Sequence, residues 1–80
     1  MIVPSKHLPV DRSLLGVGAD LLVLLDQPKT VTGLWRDLQA LRGQRSRQIP
    51  FDWYVLSLTM LYSMDAVKLH RGQLVRREPQ

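Results

Sequence analysis

Apolar positions along the chain fall into three blocks with a helical period, followed by one with a strand period. The segment from Leu14 to Asp26 is apolar nearly all round, through Leu14, Leu15, Val17 and Leu21 to Leu25, which predicts a first helix covered on several sides. Asp11 or Ser13 can cap its start, and Pro28 stops it. A second helix is predicted over "VTGLWRDLQALRG", where Val31, Leu34, Leu38 and Leu41 keep helical spacing. Thr30 is its cap, Gly43 its C-terminal stop, and Arg36, Asp37, Gln39 and Arg42 take its wet face. Pro50 opens a third helix, "PFDWYVLSLTMLYSM", with Asp52 as the acid of its first turn. Past Met64 the period drops to two. In "VKLHRGQLV" a turn at Arg71 and Gly72 sets Leu69 opposite Leu74 on one face, with Lys68 and His70 on the other.

Pro4 and Pro9 keep the start of the chain extended, so residues 1–12 are expected to form an N-terminal arm and residues 66–77 a wing hairpin. Three helices followed by a two-stranded hairpin in 80 residues make an α+β, winged helix-turn-helix-like domain spanning the whole chain. Gly16 and Gly18 weaken the first helix by about 1 kcal/mol each, which suggests that another backbone packs closely there.

The third helix raises the central question. Reading DNA bases needs Arg, Lys, Asn or Gln, and this helix has none of them. At about 100° per residue, Phe51, Val55, Leu58 and Tyr62 form one stripe and Trp53, Leu56, Met60 and Met64 another, roughly opposite. A register with Tyr54, Leu58 and Leu61 facing inward is the third arrangement. Every register leaves large apolar side chains outside, a surface of the kind enriched at protein interfaces. Trp53, Leu56, Met60 and Tyr62 are therefore the expected interface anchors.

Charge adds a second surface. The net charge is +4, and the arginines gather around the second loop and on the hairpin and tail. Arg42, Arg45, Arg47, Arg71, Arg76 and Arg77 are the candidates for phosphate contacts, against the plainer reading of a solvated positive face. Non-specific DNA is the ligand they would take.

Catalytic and metal chemistry find little material. No cysteine is present, which excludes disulfides, thiolate zinc sites and a cysteine nucleophile. Ser5, His7 and Asp11 lie in a Pro-flanked arm without rigid support, and His7 and His70 are too isolated for a metal site. "GVGAD" lacks the third glycine and the strand-to-helix context of a nucleotide loop. No enzyme activity and no cofactor are expected. The longest apolar run, residues 14–25, contains Asp20 and falls short of the ~20 residues of a membrane span, so no membrane contact is expected and the cytoplasm is the expected location.

The stretches "PSKHLPVDRSLLGVGA", "LLDQPKTVTGLW" and "FDWYVLSLTMLY" together resemble the middle component, class six, of bacterial ABC three-component systems, and the likeness runs over almost the whole chain. The resemblance implies a small winged-helix-like adaptor encoded between an SMC- or Rad50-type ATPase and an effector, in systems that defend bacteria against phage and plasmids. It implies those two proteins as partners, and a homodimer by analogy. "SMDAV" departs from the pattern, with Asp65 where a glycine is expected, although aspartate tolerates left-handed geometry. A small winged-helix DNA-binding regulator, holding phosphates with its wing and with residues 42–47, is the alternative.

Overall fold

The computed structural model describes residues 13–45 and 49–77. The expected N-terminal arm lies outside the described residues, as does Arg47. Three helices, α1 (Leu14–Leu24), α2 (Val31–Arg45) and α3 (Phe51–Ser63), precede an antiparallel hairpin of β1 (Val67–His70) and β2 (Gln73–Arg76). This is an α+β, winged-helix-like arrangement.

Local chemistry sets the helix ends. Ser13 is the cap of α1, its Oγ accepting the Gly16 N–H at 3.0 Å, and Thr30 Oγ1 accepts the Gly33 N–H at the same distance at the start of α2. Gly43 does not stop α2, which runs on to Arg45. A glycine inside a helix costs only about 1 kcal/mol, and the buried Arg42 anchors this last turn. At the end of α3 the Ala66 N–H donates to the Leu61 carbonyl and the Asp65 N–H to that of Tyr62. That pair of bonds requires a left-handed residue at Asp65, whose φ is 64°.

The hairpin has the predicted register, Leu69 opposite Leu74. Arg71 (φ 55°) and Gly72 (φ 79°) both turn left-handed, as a two-residue loop matched to strand twist demands. Leu74 then spends its N–H and its carbonyl on Lys29, forming a bridge that adds the α1–α2 link to the sheet as a third strip. The Lys29 ammonium lies 2.9 Å from Asp37 and 4.0 Å from Asp26. Its hydrogen bond to Asp37 holds its pKa above the ordinary lysine value.

The core gathers Val17, Leu21 and Leu25 of α1, Leu34 and Leu38 of α2, Tyr54 and Leu61 of α3, and Val67 and Leu74 of the hairpin. Coverage of α1 is incomplete, since Leu15 and Val23 remain exposed. Gly18 lies where α1 meets α3, but what approaches it is side chain and not backbone: an added Cβ would sit 3.1 Å from the Met60 terminal methyl and 3.5 Å from Leu61 Cδ2.

Candidate interaction surfaces

The core-facing line of α3 is Tyr54, Ser57 and Leu61, all buried. Neither four-residue stripe points inward; both are shoulders on either side of this line. Stacking fixes the choice, because Tyr54 lies against Trp35 of α2 with ring centroids 5.1 Å apart and donates its hydroxyl to the Val31 carbonyl at 2.6 Å. Burial pushes the Tyr54 pKa up to about 12. Ser57 fits beneath the start of α1, its Oγ 3.4 Å from the Leu14 carbonyl.

One shoulder carries Phe51, Val55, Leu58 and Tyr62 beside α2 and the hairpin. Phe51 meets Trp35 edge to face at 5.1 Å, yet it remains 51 % exposed, and Val55 is 43 % exposed. Two shallow apolar hollows open along this shoulder. The first, about 340 Å³, is lined by Phe51, Asp52, Val55 and Leu56. The second, about 240 Å³, is lined by Val31, Leu58, Thr59, Tyr62, Leu69 and Leu74.

The other shoulder carries Trp53, Leu56, Met60 and Met64 and borders α1 through Met60 and Gly18. The four expected anchors therefore do not form one patch. Leu56 is 53 % exposed; Trp53 and Met60 are half-buried against the core. Tyr62, 60 % exposed, belongs to the opposite shoulder with the second hollow. Phe51, Val55 and Leu69 are exposed apolar residues that the anchor assignment missed, although the stripe spacing already grouped the first two with Tyr62.

The arginines are more engaged than the sequence suggested. Arg42 is not on the wet face of α2 but buried, 2 % exposed, with Nε donating to Asp20 Oδ2 at 3.0 Å. Its Nη2 lies 2.9 Å from the same oxygen, near enough for charge attraction, but is off the direction for a hydrogen bond. A guanidinium held this way is out of reach of a phosphate. Arg76 donates to the Leu22 carbonyl at 3.0 Å, next to the end of α1, and Arg77 pairs with Asp65 at 3.2 Å. Arg71 stands exposed at the hairpin tip beside Lys68 and His70. Arg45 ends α2, and its side chain lies outside the described residues.

Among the described residues no group of three or more His, Asp or Glu side chains comes together as a metal site, and no helix is long and apolar enough to cross a membrane. A family model described as the ABC-three component (ABC-3C) system Middle Component 6 matches residues 3–78. No curated protein and no solved structure matches the chain.

Proposed function

The chain belongs to the Middle Component 6 family of ABC three-component systems, and on that premise we propose that it is a non-enzymatic adaptor acting through protein–protein contacts. Membership in a multi-component system implies partner proteins. In this reading they are an SMC- or Rad50-type ATPase and an effector, in a system that defends its host against phage and plasmids. One observation carries the reading: α3, the helix that a DNA-binding winged domain would use to read bases, has no Arg, Lys, Asn or Gln and exposes apolar side chains on both shoulders.

Docking falls to the shoulder of Trp53, Leu56 and Met60, with the exposed Met64 extending its apolar stripe. Leu56 is the anchor whose change leaves the core intact. Co-expression with the neighbouring genes, followed by measurement of the masses that purify together, tests the assignment. Leu56→Asp should release the co-purifying proteins while the chain stays folded. Retention of all of them in unchanged amounts would refute it. The DNA-binding alternative finds less support, because Arg42, Arg76 and Arg77 are already engaged within the chain.

A further inference from the structure

From the Phe51 shoulder of α3 we infer that this face pairs two copies of the chain, their third helices antiparallel. The inference goes beyond the adaptor reading, which uses the opposite shoulder and meets this face only at Leu56, and stands on three features.

The first is spacing. Phe51, Val55, Leu58 and Tyr62 run aromatic, aliphatic, aliphatic, aromatic at steps of four, three and four, so the stripe reads alike from either end. An interface built on a two-fold axis must be self-complementary, residue i meeting j while j meets i. Antiparallel helices crossing midway between Val55 and Leu58 set Phe51 of each copy against Tyr62 of the other, and Val55 against Leu58.

The second is shape. The hollow at Phe51 and Val55 and the hollow at Leu58, Tyr62 and Leu69 lie at the two ends of this stripe. Each is shallow and lined mainly by apolar groups, with one polar residue apiece, Asp52 in the first and Thr59 in the second, and lacks the converging polar atoms of a small-molecule site. In the antiparallel pair each hollow receives the aromatic ring of the other copy, Tyr62 in the first and Phe51 in the second.

The third is charge. Asp52 lines the first hollow, α3 has no cation, and the second hollow is bordered through Leu69 by the hairpin that carries Lys68 and Arg71. Antiparallel pairing brings each Asp52 toward the basic hairpin of the other copy. Parallel pairing would set Asp52 against Asp52 and hairpin against hairpin, a like-charge arrangement that costs binding.

Sedimentation equilibrium of the purified 80-residue chain over a range of concentrations is the primary test. It should show a mass moving from 9.2 kDa toward twice that value as concentration rises. Val55→Asp and Tyr62→Asp should abolish the shift, with circular dichroism unchanged, while Met64→Asp, on the other shoulder and outside both hollows, keeps it. Orientation is read separately, since the chain has no cysteine of its own. When Phe51→Cys and Tyr62→Cys chains are mixed and oxidised, the mixed disulfide dimer should dominate over either self-linked dimer. A mass of one chain at every concentration, a dimer that Met64→Asp breaks and Tyr62→Asp does not, or predominant self-linking would each overturn the inference. Loss of the ATPase or effector on Met64→Asp, with the dimer retained, concerns the adaptor reading alone.

Discussion

Tyr54 shows how much one side chain settles. It is sealed from solvent, stacked on Trp35 and bonded to the Val31 carbonyl, so its phenol stays protonated up to about pH 12. Tyrosine in the unfolded chain ionises near pH 10. Below that value both states hold the proton; between the two values only the unfolded chain loses it, and stability should fall by on the order of 2 kcal/mol across the window. Tyr54→Phe should cost about 1 kcal/mol at pH 7, through the lost hydrogen bond, and should not suffer the alkaline loss. Urea melts of the two chains at pH 7 and pH 11 should show the gap closing, and an unchanged gap refutes the account. Arg42 makes a second residue-scale case. Removing it empties a buried site and withdraws one partner of Asp20, so Arg42→Ala should destabilise by roughly 2 kcal/mol, lowering Tm by about 10 °C. An unaltered Tm with weakened DNA binding would return Arg42 to the list of phosphate contacts.

At the scale of elements, what was legible in the sequence was what is local. Ser13 and Thr30 as caps, Asp65 as a left-handed helix end and the Leu69–Leu74 register each follow from residues within a few positions of one another. The burial of Arg42 and the inward line of α3 depend on contacts distant in sequence, Arg42 with Asp20 and Tyr54 with Val31, which periodicity does not contain. Ser57 hid the core face further, because a buried serine breaks the apolar pattern. The hairpin carries its own prediction. Arg71 holds a left-handed φ that costs a non-glycine residue about 1 kcal/mol, whereas asparagine adopts it readily. Arg71→Asn should raise stability by about 0.5–1 kcal/mol in a thermal melt, and a fall would mean that the Arg71 side chain holds a contact worth more than the strain it carries.

For the whole molecule the question is where a net charge of +4 can act. A polyanion is attracted by total charge, but the salt dependence of binding counts only the cations that reach phosphate, with a log–log slope of about −0.9 per phosphate neutralised on duplex DNA. Arg42 is spent on Asp20 in the interior, Arg77 on Asp65, and Arg76 on a carbonyl of α1. Lys68 and Arg71 on the hairpin are exposed and, among the described residues of that wing, make no ion pair, so the wing alone corresponds to a slope of about −2. Titration of a duplex with the purified chain at increasing salt should therefore give weak, sequence-indifferent binding in which the wing accounts for about that much of the slope. Lys68→Ala with Arg71→Ala should flatten it. A slope that this double change leaves unaltered would put the phosphate contacts elsewhere than on the wing. With a shallow slope, the apolar side chains on the two shoulders of α3 are the larger exposed surface among the described residues, and the proposed contacts with a second copy and with a different protein both draw on it.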